Sequence, residues 1–262
     1  MVTIQKYVKA QSLEEAWKLN QGKKNRILGG MLWMRLGNGT ISTAIDLCDL
    51  GLDTIEETDE EFSIGARVTL RELEQHVGLN TYTHDAVKNA VKDIVGVQFR
   101  NVATVGGSIW GRYGFSDVMT IFRALGAKVE LFHEGIMELD DFVKLPRTVR
   151  DILVSVIVPK ETEKVVYLSQ RNQSTDFPVL TCAVSKGKRG TMAVIGATPY
   201  MAEPVYDSEN ILSVRFADYV AKNIRFGSNM RASAEYRKII CNVLVKRALK
   251  TIVSENEKEE IC

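Results

Sequence analysis

IVGVQFRNVATVGGSIWGRYGFSD, Ile94 to Asp117, places a helix end, a glycine pair and, nine positions beyond Ser108, a lone acid in one stretch. Gly106 and Gly107 carry no Cβ. The backbone there can take dihedrals closed to other residues and can let a ligand approach its N–H groups closely. A bound diphosphate needs such a segment. A Gly-Gly pair also marks an ordinary turn, so the neighbouring residues have to decide between the two.

Upstream, Ser12-Leu13-Glu14-Glu15 has the form of a capping box. Leu13, Ala16, Trp17 and Leu19 supply an apolar face, and Gly22 a stop. Asn25 to Leu28 predicts a short strand running into Gly29-Gly30, and Ile41 to Leu47 another. The first fifty residues therefore form a small β-α-β unit with a glycine turn after its second strand. Glu61 to Ala66 is strand-like, Thr69-Leu70-Arg71-Glu72 repeats the capping box before a helix to about His76, and Asp85 to Ile94 has helical spacing.

Downstream, Val118 to Leu125 predicts a helix capped by Gly126. Lys128 to Phe132 and Ile136 to Leu139 then form a hairpin around Glu134-Gly135. Asp151 to Val158 alternates as a strand and stops at Pro159. The polar run Glu161 to Lys164 follows as a linker, which places a domain boundary there. Val165 to Ser169, Val179 to Ser185 and Thr191 to Gly196 predict a three-stranded meander with a hairpin at Gly187 to Gly190. Two helices close the chain, near Val214 to Ile224 and Ser233 to Val253. In the second, Tyr236, Ile240, Val243, Leu244, Ala248 and Ile252 form the apolar face, and Arg237, Lys238, Lys246 and Lys250 lie elsewhere. These elements describe an α+β protein with two glycine turns and a smaller C-terminal domain.

Composition narrows the function. The chain has 262 residues, 45% of them hydrophobic, and a formal net charge of +1, so nothing draws it to nucleic acid or an anionic membrane. Cys48, Cys182, Cys241 and Cys262 are scattered, with no CxxC pair, so no metal site is expected and the cysteines read as free thiols of a reducing compartment. His76, His84 and His133 stand alone. The N-terminus has no apolar signal region, and no run approaches the roughly 18 apolar residues of a membrane span. A soluble cytoplasmic protein follows.

Four passages resemble one family, the FAD-binding subunit or central domain of the molybdenum hydroxylases, which include xanthine dehydrogenase and aerobic carbon monoxide dehydrogenase. ILGG, Ile27 to Gly30, is similar to its first glycine motif. FSIGARVTLRELE, Phe62 to Glu74, is similar to its strand–helix junction. QFRNVATVGGSIW, Gln98 to Trp110, with Asp117 beyond it, resembles its second glycine motif. RASAEYRKIICNVLVKRAL, Arg231 to Leu249, resembles its final helix. The resemblance implies a vanillyl-alcohol-oxidase (PCMH)-type FAD-binding fold over residues 1–160, with subdomains of about 1–55 and 56–160, then a small α/β domain over 165–262. It also implies a flavin relay, an FAD-dependent oxidoreductase subunit. Such a subunit takes electrons from a [2Fe–2S] partner subunit, served by a molybdopterin-binding subunit, and passes them to NAD or another acceptor.

Carried across residue by residue, the family's contacts put backbone N–H groups of Leu28, Gly29, Gly30 and Met31 against one part of the FAD pyrophosphate. Thr104, Val105, Gly106, Gly107 and Ser108 face the other part, with Thr104 and Ser108 also offering hydroxyls. Asp117 accepts from the adenosine ribose or caps the helix from Val118. Ile94 and Leu153 pack on the cofactor, though Ile94 also reads as core and Thr104 as a strand residue. No catalytic acid–base residue is required. The chain departs from the pattern at Met31-Leu32-Trp33, where polar residues are usual, at Ser108, at Tyr167 and at Arg112 to Phe115. The Ile94 to Asp117 segment is therefore expected to carry most of the grip. Two rival readings are a flavin-free scaffold of the same fold and a free-standing flavoprotein.

Overall fold

A computed structural model describes residues 1–207 and 214–259, so Cys262 lies outside the described residues. Its strands are β1 (Thr3–Lys9), β2 (Arg26–Leu28), β3 (Thr40–Asp46), β4 (Ile55–Glu57), β5 (Glu61–Gly65) and β6 (Lys128–Leu131). They continue with β7 (Gly135–Glu138), β8 (Leu153–Pro159), β9 (Thr162–Arg171), β10 (Pro178–Gly187), β11 (Gly190–Gly196) and β12 (Glu203–Tyr206). The helices are α1 (Leu13–Asn20), α2 (Leu70–Gln75), α3 (Val77–Tyr82), α4 (Ala86–Val91) and α5 (Val97–Arg100). After these come α6 (Val105–Trp110), α7 (Asp117–Ala124), α8 (Leu139–Phe142), α9 (Val214–Asn223) and α10 (Ala234–Glu259).

The chain forms two compact units that do not follow chain order. The first comprises Met1–Glu72, Val97–Gly111 and Ala127–Val158; the second comprises Leu73–Gly96, Arg112–Gly126 and Pro159–Cys262. The Pro159 break is the one visible as a change of sequence character. The earlier crossings are short excursions without a change of composition.

In the first unit, β1, β3 and β2 form a parallel sheet in that order, with Lys9 opposite Asp46 and Asp46 opposite Leu28. α1 begins as predicted, with Glu15 N–H donating to Ser12 Oγ at 3.1 Å. It buries Ala16 against Ile45, Leu47 and Ile152. The second sheet runs β4-β5-β8-β6-β7. The capping box at α2 closes reciprocally: Thr69 N–H donates to Glu72 Oε2 at 2.7 Å and Glu72 N–H to Thr69 Oγ1 at 3.1 Å. Thr69→Ala is therefore expected to cost about 1 kcal/mol, or roughly 2–4 °C in Tm. Thermal unfolding followed by circular dichroism checks it, and an unchanged Tm would mean the box carries no stability.

In the second unit, α9 and α10 cover an antiparallel sheet, β12-β11-β10-β9. The meander has four strands rather than three. β12 is short, lies at the edge and contains Pro204, which lowers its strand signal in the sequence. Glu161 to Lys164 is not a linker: Thr162 opens β9, and Lys164 pairs with Lys186 across the sheet. The buried face of α10 is also rotated from the predicted one. Cys241, Leu244, Val245, Ala248, Leu249 and Ile252 are buried, while Tyr236 is 43% exposed. Arg237, assigned to the polar side, is buried, and its guanidinium donates to Val179 O, Gly227 O, Ala232 O and Asn229 Oδ1. Its partners lie on β10 and in the loop before the helix, so helical periodicity could not reveal them.

Candidate functional site

Both glycine segments lie in the first unit, and they meet. β2 ends at Leu28, and the chain leaves the carboxyl edge of the parallel sheet through Gly29 and Gly30, a common place for ligands in open α/β sheets. A Cβ on Gly30 would stand 1.9 Å from Val102 O, and one on Gly29 would stand 2.9 Å from Thr104 Oγ1 and 3.9 Å from Gly107 Cα. Backbone rests on backbone here. Only glycine permits the approach.

The second segment differs from the expected turn. Gly106 and Gly107 occupy the first turn of α6, which Thr104 caps, and neither takes a positive φ. Their need for glycine is spatial: a Cβ on Gly106 would lie 2.6 Å from Ala66 O. Position comes from a bridge between Thr69 and Thr104, in which Leu70 N–H donates to Ala103 O at 2.8 Å and Val105 N–H to Val68 O at 2.9 Å. The starts of α2 and α6 are thereby set side by side.

This anchoring occupies the expected donors from Val105 to Ser108. Val105 N–H donates to Val68 O, Gly106 N–H to Ala66 O at 2.8 Å, and Ser108 N–H to Thr104 O at 3.0 Å. Gly107 N–H donates to Thr104 Oγ1 at 3.1 Å, and the Ser108 hydroxyl to Thr104 O at 2.9 Å. Amides of this segment that were expected to face the pyrophosphate therefore have protein acceptors in this structure. Helix capping and bridging to Val68 and Ala66 occupy those amides first. The first segment is the reverse. Among the described residues, the N–H groups of Gly29, Gly30, Met31 and Leu32 donate to no acceptor. Met31 takes φ 57°, a left-handed conformation that is uncommon outside glycine and belongs to the backbone geometries that can form anion-binding nests. Apolar side chains at Met31 and Leu32 therefore do not preclude an anion there, because the available donors belong to the backbone.

The other predicted residues fall as follows. Leu153 is buried in β8 of the first unit, opposite Leu131, beside a bulge. Val154 O accepts from Ala66 N–H at 2.8 Å, so β8 helps to hold the shelf on which Gly106 rests. Ile94 and Asp117 belong to the second unit. Ile94 is half-buried just beyond α4, and its N–H donates to Val91 O at 3.0 Å. Asp117 does not cap its helix; Ser116 does, with Ser116 Oγ accepting from Met119 N–H at 3.1 Å. The buried Asp117 carboxylate instead receives the Tyr167 hydroxyl and the Arg171 guanidinium, both on Oδ1. Burial raises the Asp117 pKa from its ordinary carboxylate value against the pull of Arg171 and Tyr167, and raises that of the Tyr167 hydroxyl well above its ordinary value. Sequence reasoning missed Arg171 as a partner, because a strand end 54 residues away gives no local signal.

Among the described residues, the three cysteines carry thiols shifted away from the reactive thiolate form. Burial pushes Cys241 up to about 12 and Cys182 well above the ordinary thiol value, and burial with Asp49 and Asp46 raises Cys48. What the first unit presents is a backbone cradle of free N–H donors at a sheet's carboxyl edge, suited to a phosphate-bearing ligand.

Comparison with known proteins gives that cradle a context. A family described as the FAD binding domain in molybdopterin dehydrogenase matches residues 2–161. The protein YgfM of Escherichia coli K12, itself uncharacterised, is 24% identical over 254 residues, covering 92% of this chain and 94% of its own. The glyceraldehyde dehydrogenase medium chain of Sulfolobus acidocaldarius is 24% identical over 283 residues, covering 94% and 97%. Among solved structures, the reconstituted carbon monoxide dehydrogenase of Oligotropha carboxidovorans superposes with a TM-score of 0.80 at 20% identity, over 95% of this chain and 96% of that one. That likeness establishes the shared fold. With its family match reaching across both glycine segments, the chain belongs to the FAD-binding domain family of the molybdopterin dehydrogenases.

Proposed function

We propose that this chain is the flavin-carrying, electron-transferring subunit of a molybdenum hydroxylase, with Leu28 to Met31 and Leu32 holding the FAD diphosphate through backbone N–H groups. The observation that carries this reading is the set of free amides at Gly29 to Leu32, at a place where any Cβ on Gly30 would collide with backbone. When bound, FAD supplies the redox chemistry. The protein's residues bind, orient and shield it. Thr104 stands where the two glycine segments meet, and Leu28 forms a buried apolar cluster with Ile41 and Ala44 against which Met31 and Met34 pack. Thr104 to Ser108 act as the opposing wall, and Ile94, Leu153 and Asp117 remain assigned to the cofactor. The second carboxylate oxygen of Asp117, Oδ2, is the atom that would accept a ribose hydroxyl.

The relay itself follows the family. Electrons enter from a [2Fe–2S] partner subunit reduced by a molybdopterin-binding subunit and leave to NAD or another acceptor, in the cytoplasm. Support comes from the medium-chain relative, which is by name one chain of a larger dehydrogenase. No helix among the described residues is long and apolar enough to cross a membrane. The flavin-free scaffold reading rests on Met31-Leu32-Trp33, and the free backbone donors at Met31 and Leu32 count against it. Visible absorbance decides: the purified chain, incubated with FAD and desalted, is expected to retain the flavin bands in near-stoichiometric amount. A colourless product would sink the flavin reading.

A further inference from the structure

We propose that Arg67 is the cationic side chain of the diphosphate site, parked on Asp46 and able to turn its unused donors toward the anion. The inference rests on the FAD reading above and adds a charge that the glycine turn lacks.

Three observations place Arg67 there, all within the first unit. Its backbone neighbour Ala66 accepts the Gly106 N–H, which ties position 67 to the second glycine segment. Its side chain reaches the other way, with Nη1 3.2 Å from Asp46 Oδ1. Asp46 stands opposite Leu28 in the parallel ladder, one residue before Gly29. Adjacent strands lie about 4.8 Å apart and one residue adds about 3.8 Å, so the Asp46 and Gly29 backbones are within roughly 9 Å. The faces agree as well. Ala44, Asp46 and their ladder partner Leu28 share one side of the sheet, and Ala44 and Leu28 pack with Met31. The Asp46–Arg67 pair therefore occupies the face onto which the first turn folds.

The pair is also built to come apart. Asp46 has two other donors, the Tyr7 hydroxyl on Oδ2 at 2.7 Å and Cys48 N–H on Oδ1 at 3.0 Å. Its carboxylate stays satisfied if Arg67 leaves. Arg67, by contrast, has a buried Nε with no hydrogen-bond partner, an uncompensated donor that a turn of the guanidinium could employ. Lys9, on the same row, is committed to Asp49 at 2.5 Å. Arg67 is placed to serve an anion at this edge, and a guanidinium suits phosphate oxygens geometrically.

The test is FAD binding to the apo chain, followed by flavin fluorescence, with ADP as a competing probe that carries the diphosphate without the flavin. Arg67→Gln is expected to weaken both ligands roughly tenfold to a hundredfold and to flatten the salt dependence of affinity. Arg67→Lys, keeping the charge, should retain most of the affinity and so shows that the fold tolerates change at this position. Asp46→Asn, which frees Arg67 from its competitor, is expected to bind FAD as tightly as the wild type or more so. A purely structural ion pair predicts the opposite pattern, equal weakening in Arg67→Gln and Asp46→Asn, and that result overturns the proposal. So does an Arg67→Gln affinity within twofold of wild type. A wild-type chain that takes up no FAD overturns the flavin reading itself, and this inference with it.

Discussion

Asp117→Ala is expected to cost the second unit about 3–5 kcal/mol, and thermal unfolding should show a fall in Tm of roughly 10 °C. The side chains of Asp117 and Arg171 are only 6% and 7% exposed, so removing the carboxylate strands a guanidinium away from water. Tyr167, also buried, loses its acceptor in the same step. The cost arises from the partners left behind rather than from the intrinsic strength of the pair. It follows that replacing both charges should be gentler than replacing one. Asp117→Leu combined with Arg171→Leu is expected to recover more than half of the stability lost in Asp117→Ala. A double variant as unstable as the single one would show that the charges hold some further structure through Arg171, whose Nη1 also donates to Asp176 O at 2.5 Å. A single variant melting within 2 °C of wild type would remove the triad from any structural account. FAD affinity, measured below the melting range, then separates the two roles of Asp117. A ribose contact through Oδ2 predicts weaker binding in the folded variant, and a structural acid alone predicts none.

This triad marks where sequence stops being legible. Capping boxes, glycine stops and strand alternation are local, and the structure follows them closely: Thr69 and Glu72 exchange their hydrogen bonds, and Gly126 ends α7 with φ 63°. Both glycine segments were visible for the same reason. Their distinct backbone hydrogen bonding was not. Gly106 and Gly107 look in sequence like a turn that frees amides, yet they start a helix whose amides are bound by Val68, Ala66 and Thr104, residues brought up by a bridge that no spacing rule predicts. Gly29 and Gly30 are followed by three large apolar residues, and the unpaired amides there are not displayed by the sequence, which shows side-chain chemistry and not backbone pairing. Arg67, Arg171 and Arg237 share one cause of illegibility: each is a charged residue in an ordinary stretch of chain with at least one partner that arrives from tens of residues away.

Gly30→Ala is the sharpest test of the cradle. A Cβ at position 30 would sit 1.9 Å from Val102 O and 2.7 Å from Val102 C, backbone atoms that cannot rotate aside, so the two glycine segments must separate. Overpacking of this kind costs typically about 1–3 kcal/mol, which a protein of this size can survive. The cradle should not, because its donors are the backbone amides displaced along with the turn. FAD affinity is expected to fall by roughly a hundredfold or more, which corresponds to losing two hydrogen bonds to an anion at roughly 1.5–3 kcal/mol each. Gly39→Ala is the matched control, since a Cβ there meets nothing within 4 Å, and it should leave affinity unchanged. Titration of FAD into each folded variant, with melting curves alongside, reads both effects. If Gly30→Ala lowered Tm yet kept wild-type affinity, the amides of Gly29 to Leu32 would not hold the diphosphate. The bound amides of α6 would then have to give up their present acceptors to do so, at a cost that the tied geometry of Thr104 and Ala66 argues against.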